Sequence, residues 1–221
     1  MPEVVSMPKI GEPAPDFTAV TTQLPALRFS EWRGDSWVVL FSHPADFTPV
    51  CSTELTEFAR RADEFAALNT KLIGLSVDSI HSHLAWMQNL KQILGVDIKY
   101  PVIADLDTRI AQLYGMIHPG ASVTATVRTV FVIDPKGIIR AIVYYPLNVG
   151  RNVDEIKRVV EALQTVDNHA CATPVNWRPG QPVVVPPPKT AAEVAERESH
   201  RGKDYDVKDF YLSLKEVPKK K

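Results

Sequence analysis

The chain has 221 residues, 45% of them hydrophobic, and a formal net charge of -1. That length and apolar content suit one sizeable domain with an appendage, or at most two domains, and exclude a disordered or fibrous chain. The balanced charge excludes a general polyanion binder, and the one dense basic run, Lys219-Lys220-Lys221, reads as a solvated tail.

The opening Met1-Pro2-Glu3-Val4-Val5-Ser6 lacks the charged and apolar regions of a secretory signal, and no apolar run nears the ~20 residues of a bilayer span. Two cysteines, Cys51 and Cys171, are too few for a disulfide framework, and six scattered histidines give no zinc-ligand spacing. A soluble α/β protein of a reducing, cytoplasmic compartment is expected, with no metal and no cofactor.

In chain order, Trp37-Val38-Val39-Leu40-Phe41-Ser42 reads as a buried strand. A helix over Ser52 to Leu68 follows, with Leu55, Phe58, Ala59, Ala62, Phe65 and Ala66 on one face. Leu72 to Val77 is a second buried strand. A helix from about His81 to Leu94 carries Leu84, Met87, Leu90 and Leu94, and Gly95 closes it. Pro101-Val102-Ile103 precedes a short helix, Thr108 to Tyr114. Thr129 to Ile133 and Ile138 to Tyr145 flank the turn Asp134-Pro135-Lys136-Gly137, a hairpin signal. The helix Val153 to Val166 turns Val153, Ile156, Val159, Val160 and Leu163 inward. This order is that of a thioredoxin-like fold, a central mixed sheet flanked by helices.

Beyond about residue 172 the composition shifts: seven of the eighteen prolines lie between Pro174 and Pro218. The expected division is therefore 1–170 as the folded domain and 171–221 as a proline-rich arm. The arm is read as partly extended, unable to form a conventional core by itself, with a short helix near Ala191 to Ser199. An arm of this kind packs readily on a second subunit, so a homodimer, open to further assembly, is expected.

The informative segment is Ser42-His43-Pro44-Ala45-Asp46-Phe47-Thr48-Pro49-Val50-Cys51, set between a strand and a helix. Pro49 suits the first helical position and pushes Thr48 into cap geometry. Cys51 then falls in the first turn, near free backbone N–H groups and the positive end of the helix dipole, which favour thiolate over thiol. A lone cysteine is commonly a small buried hydrophobe, but a core cysteine needs neither cap nor proline.

Pro44-x-x-x-Thr48-x-x-Cys51 resembles the active-site motif of the peroxiredoxins, and Phe41 through Cys51 is similar to their one-Cys branch. Thr53-Glu54-Leu55, Lys71 through Ser79, His83-Leu84-Ala85-Trp86, Gly150 through Ile156 and Thr173 through Trp177 extend the resemblance over nearly the whole chain. It implies a thiol peroxidase acting on hydrogen peroxide and organic hydroperoxides, in antioxidant defence and redox homeostasis. By the same resemblance Cys51 is the nucleophile that becomes a sulfenic acid, Thr48 holds the peroxide, and Pro44 shields the thiolate. Arg128 matches the family's arginine and stabilises charge at the site. Arg151 fits a second basic position near it, and Glu54 and His43 orient these groups. His81, His83 and His118 are read as ordinary packing or surface histidines.

Cys171 is followed by Ala172 and lacks the Val-Cys-Pro setting of a two-Cys resolving thiol. It is read as non-catalytic, with capture of the Cys51 sulfenic acid as the alternative. Mammalian members also carry a lipase-like serine string, kept here as Gly34-Asp35-Ser36-Trp37. The matching histidine position falls on Ser30 and the acid on Lys136, so Ser36 lacks a base. The implied partners are peroxides and an external thiol reductant such as thioredoxin or glutathione, with no nucleic acid and no membrane. Two competing classes are a thioredoxin-type disulfide oxidoreductase, which the missing Cys-x-x-Cys argues against, and a redox-sensing scaffold without turnover.

Overall fold

Six consecutive residues with no charge among them, Trp37 to Ser42, form a strand buried along its whole length, as a strand covered on both faces must be. In the computed structural model, which describes residues 7–217, this strand is the middle of a five-stranded sheet. The N-terminal Met1–Ser6 and the Lys219–Lys221 run lie outside the described residues.

The elements are, in order, β1 (Thr18–Ala19), β2 (Leu27–Arg28), α1 (Phe29–Arg33), β3 (Trp37–Ser42), α2 (Pro49–Arg60), α3 (Ala62–Ala66), β4 (Thr70–Ser76), α4 (Ile80–Leu94), β5 (Val102–Ala104), α5 (Arg109–Leu113), β6 (Arg128–Ile133), β7 (Ile139–Tyr145), α6 (Val153–His169), β8 (Val183–Val184), α7 (Ala191–Ser199), β9 (Asp206–Asp209) and β10 (Leu212–Lys215). The large sheet runs β5-β4-β3-β6-β7. Strands β3, β4 and β5 are parallel, whereas β6 is antiparallel to both β3 and β7, so the sheet is mixed.

Its register prepares the site. Phe41 lies opposite Val130 in an antiparallel pair, so the start of β6 sits beside the end of β3. Arg128, the first residue of β6, thus reaches the turn that leaves β3. The chain divides into two compact units, Met1–Val153 and Asp154–Lys221. The first has its core around Val38, Leu40, Ile73, Leu75, Ile103, Phe131 and Ile133.

Three expectations change. The single helix expected over 52–68 is two, broken at Arg61 with φ -103° and ψ 8°; hydrophobic periodicity does not register a one-residue break. The inner stripe of α4 is His83, Trp86 and Leu90, while Leu84 and Leu94 are 48% and 43% exposed. The stripe is rotated because a polar ring, His83, finds hydrogen-bond partners inside.

The third change concerns the C-terminal unit, where the stretch read as extended forms a small sheet and shares a core with α6. Strands β8, β10 and β9 make an antiparallel sheet, and Ala162, Cys171, Trp177 and Val183 cluster as buried residues. A single large side chain supplies what the proline count obscured: Trp177 is 1% exposed and donates its Nε1–H to the Gln181 carbonyl at 3.0 Å. The packing division at 153/154 therefore precedes the change in composition near residue 172, because α6 contributes Ala162 to that cluster.

Candidate active site

The turn 43–48 joins the end of β3 to α2, at the carboxyl edge of the parallel strands where open α/β sheets place their ligands. Thr48 is the N-cap of α2 in an extended conformation, and Pro49 is the first helical residue. The Thr48 hydroxyl donates to the Ala45 carbonyl at 2.9 Å and accepts no bond from the helix. The first-turn N–H groups, Cys51 among them, are thus left without a side-chain cap. Phe47 takes φ 54° and is 57% exposed, a left-handed aromatic at the apex of the turn.

Cys51 is fully buried. Arg128 Nη1 donates to its Sγ at 3.2 Å and to Glu54 Oε2 at 2.7 Å. The other face of the same guanidinium, Nε and Nη2, donates to the Leu147 carbonyl at 2.9 and 2.7 Å. Arg128 is therefore fixed from two sides, and its orientation toward sulfur costs no further ordering. Glu54 stands one helical turn beyond Cys51, on the same face of α2.

Arg151 grips Glu54 from the opposite side. Its Nε and Nη2 donate to Oε1 and Oε2 at 2.9 and 2.7 Å, and its backbone N–H adds a bond to Oε1 at 2.8 Å. Its Nη1 donates to the carbonyls of Ser42 and Thr129 at 2.8 and 2.9 Å. The guanidinium packs over Phe41 and Phe58, whose rings stack at 4.2 Å. Burial acts to raise the Glu54 carboxyl, but Arg151 and Arg128 outweigh it and hold it below the usual carboxylate range. Two guanidiniums against one carboxylate leave a single positive charge next to Sγ, which a thiolate neutralises.

Cys51, Arg128, Glu54 and Arg151 are thus brought into one cluster, and Pro44 and Thr48 belong to the turn in front of it. His43 is placed differently. Its ring is fully buried and its Nε2 bonds to Asp46 Oδ1 at 2.9 Å. Asp46 also bonds through Oδ2 to His83 Nδ1 at 2.8 Å. Asp46 and His83 were not expected at the site; the His43-x-x-Asp46 spacing was the available sign.

Cys171 lies in the buried cluster of the C-terminal unit, 7% exposed, where burial pushes its thiol up. Ser36 donates its hydroxyl to Asn69 Oδ1 at 3.1 Å.

The buried carboxylates set an acid limit on stability. Burial acts to raise Asp46, yet the bonds from His43 and His83 outweigh it and hold it far below its ordinary value of 3.8; Glu54 is likewise held below 4.5. A group depressed in the folded state stabilises the fold above its unfolded value and loses that contribution as pH falls through the folded one. Burial also keeps His43 from taking up the proton that the unfolded chain binds below 6.5, so the free energy of urea unfolding is expected to begin declining below about pH 6.5. Below about 4.5 it is expected to fall more steeply. A flat profile down to about pH 3 would contradict the carboxylate pairing described above.

The first part of the chain, residues 10–142, matches the AhpC/TSA family, and residues 162–200 match the C-terminal domain of 1-Cys peroxiredoxin. Peroxiredoxin 2 of Caldanaerobacter subterraneus subsp. tengcongensis is 53% identical over 213 residues, covering 96% of this chain and 95% of that protein. The peroxiredoxin of Aquifex aeolicus is 49% identical over 225 residues, with 97% and 100% covered.

Among solved structures, a yeast mitochondrial 1-Cys peroxiredoxin, studied for thiol resolution through glutathione and thioredoxin systems, is 40% identical. Its TM-score is 0.83, with 96% of this chain and 100% of that chain covered. A cysteine-to-serine mutant of Peroxiredoxin 6 from Arenicola marina is 36% identical with a TM-score of 0.84, covering 96% and 99%. No helix among the described residues is long and apolar enough to cross a membrane. Relatives about half identical over almost the entire length leave one reading: the chain belongs to the peroxiredoxin (AhpC/TSA) family, in its one-Cys branch, and is a thiol-dependent peroxidase.

Proposed function

We propose that Cys51 is the thiol that reduces the peroxide. The observation that carries this is the Arg128 contact to Sγ at 3.2 Å, backed by the Glu54–Arg151 pair. In this reading the Cys51 thiolate attacks one oxygen of the peroxide, forming an S–O bond as the O–O bond breaks. The departing oxygen leaves with the O–O electron pair and takes up a proton as water or alcohol. The sulfur, oxidised by two electrons, is left as a sulfenic acid. Arg128 donates to the charge that develops on the departing oxygen. Thr48 offers its hydroxyl to the peroxide, and Pro44 keeps bulk water from the sulfur. Arg151, Glu54 and His43 hold this set in place.

Hydrogen peroxide and organic hydroperoxides are the substrates, and an external thiol, thioredoxin or glutathione among the candidates, returns the sulfenic acid to thiol. The yeast relative's link to both systems supports that class of reductant. Cys171 takes no part, in keeping with its buried setting among Ala162, Trp177 and Val183. The peroxidase domain spans 1–170, the 171–221 region serves dimerisation, and the protein works in the cytoplasm.

Peroxide treatment in the presence of dimedone, followed by peptide mass spectrometry, tests the assignment. The Cys51 peptide is expected to carry the adduct, with the Cys171 peptide unmodified and no Cys51–Cys171 disulfide on a non-reducing gel. Labelling of Cys171 alone, or of neither, would overturn it.

A further inference from the structure

We infer that Asp46 and His83 are positioning residues for the peroxidase: His83, protonated on both ring nitrogens, holds the Asp46 carboxylate, and that carboxylate fixes His43 and the turn carrying Pro44 and Thr48. The inference rests on the peroxidase reading of Cys51 and goes beyond it.

Each ring nitrogen of His83 faces an oxygen. Nδ1 lies 2.8 Å from Asp46 Oδ2, and Nε2 lies 3.1 Å from the Ile103 carbonyl. A carbonyl only accepts, so Nε2 carries a proton; an ionised carboxylate only accepts, so Nδ1 carries one too. The ring is then an imidazolium paired with a carboxylate, both buried, as an internal charge must be.

His43 has the opposite pattern. Its Nε2 donates to Asp46 Oδ1 at 2.9 Å, while its Nδ1 is buried with no hydrogen-bond partner among the described residues. A proton there would be an unpaired buried donor, so the ring is neutral. Burial, the largest influence on this ring, also disfavours its charged form, while Asp46 and the more distant Asp78 oppose that and His83 reinforces it. Trp86 stands beside it with ring centroids 5.3 Å apart.

The turn is also tied down through its backbone. Asp46 N donates to Asp78 Oδ2 at 3.0 Å, and Ser76 Oγ donates to the same oxygen at 2.6 Å. Thr126 Oγ1 donates to the His43 carbonyl at 2.8 Å. Asp46 thus links the active-site turn to the end of β4 and to α4, and His83 continues the link to β5.

The same three side chains place donor atoms within 4.8 Å of one another, a spacing that also suits a divalent ion. The proton inventory favours the ion pair. A metal on His43 Nε2 would send the ring proton to Nδ1, where it has no acceptor.

Two variants separate charge from shape. His83→Gln keeps a donor for Asp46 and removes the cation; Asp46→Asn removes the carboxylate. Stopped-flow measurement of Cys51 oxidation by hydrogen peroxide is expected to show each variant slowed between about 10- and 100-fold, the scale of a catalytic group displaced by about 1 Å. His83→Gln is also expected to gain an ionisation in its pH–rate profile between about pH 5 and 8, as loss of the neighbouring cation leaves His43, bonded to Asp46, free to take up the charge. A purely structural role moves stability and leaves that profile unchanged.

In wild type at pH 7, ¹⁵N NMR of labelled histidine is expected to show the two buried rings of the six histidines as an imidazolium, His83, and a neutral ring protonated at Nε2, His43. That spectrum needs no variant to fold. Rates within twofold of wild type with an unchanged pH profile, or a neutral His83 in the wild-type spectrum, would overturn the inference while Cys51 still consumed peroxide. Zinc chloride titration that loads one Zn²⁺ into wild type and Cys51→Ser, but not into His83→Gln, would overturn it in favour of a metal site. Absence of peroxide reaction in wild type itself would instead sink the peroxidase reading.

Discussion

Replacing Arg128 by methionine is expected to slow the oxidation of Cys51 by hydrogen peroxide about 100- to 1000-fold, the usual loss when one fixed donor to developing charge is removed. The side chain is buried, its Nη1 sits between Cys51 Sγ and Glu54 Oε2, and its remaining nitrogens are held by the Leu147 carbonyl. Methionine keeps much of the volume and none of the donors. Glu54 retains its paired bonds to Arg151, so the variant is expected to fold and the loss to appear in reactivity. The charge of the cluster falls from one positive to zero, and the sulfur loses the cation that its anionic form would neutralise.

Arg128→Lys is expected to recover only part of the rate. An ammonium is a point charge on a flexible stem and does not serve sulfur, carboxylate and carbonyl together as the planar guanidinium does. Stopped-flow tryptophan fluorescence at saturating and limiting peroxide measures both variants. An Arg128→Met rate within threefold of wild type would show that the contact to sulfur has no part in the reaction.

What the amino-acid order made legible follows from which forces act locally. The run Trp37 to Phe41 is apolar without interruption and, with Ser42, became β3 with the expected limits. The turn Asp134 to Gly137 has Gly137 at φ 80°, the conformation its glycine permits, and the hairpin around it formed as read. Thr190 before Ala191 starts α7 by accepting the Glu193 N–H. In each case the signal lies within a few residues.

The polar interior carried no such signal. Asp46 and His83 are 37 residues apart and meet only because α4 rotates a histidine inward; counting apolar residues selects Leu84, the neighbouring position. Glu54 illustrates the middle case. Local pattern gives it no role; it meets Arg128 because β6 runs antiparallel to β3, and Arg151 comes from the segment between β7 and α6. Family resemblance supplied those partners where local chemistry did not. The C-terminal sheet escaped notice for a related reason: Trp177 organises a core that its proline-rich surroundings hide from any composition count.

Glu54→Ala is expected to be the most destabilising single change at this site. The carboxylate receives bonds from two arginines whose side chains are 3% and 0% exposed. Removing it leaves both guanidiniums buried and close together, with only the Cys51 sulfur beside Arg128 to set against two positive charges. Breaking a buried pair by deleting one partner costs about 3–5 kcal/mol, a large share of the roughly 5–15 kcal/mol that holds a typical domain together. For a chain of this size the melting temperature is expected to drop by about 6–20 °C.

Glu54→Gln tests whether shape alone suffices. A glutamine amide presents one acceptor and one donor group to partners that only donate. At least one guanidinium N–H therefore faces an N–H, and the variant is expected to melt between Glu54→Ala and wild type. Arg128 is held toward sulfur partly by Glu54 Oε2, so both variants also lose peroxide reactivity at temperatures where they remain folded. The Coulombic origin of the loss predicts a further result. Adding Arg151→Met to Glu54→Ala removes one of the two opposed cations, so the double variant is expected to be more stable than Glu54→Ala alone. If the two losses simply add, repulsion between the arginines is not what Glu54 relieves.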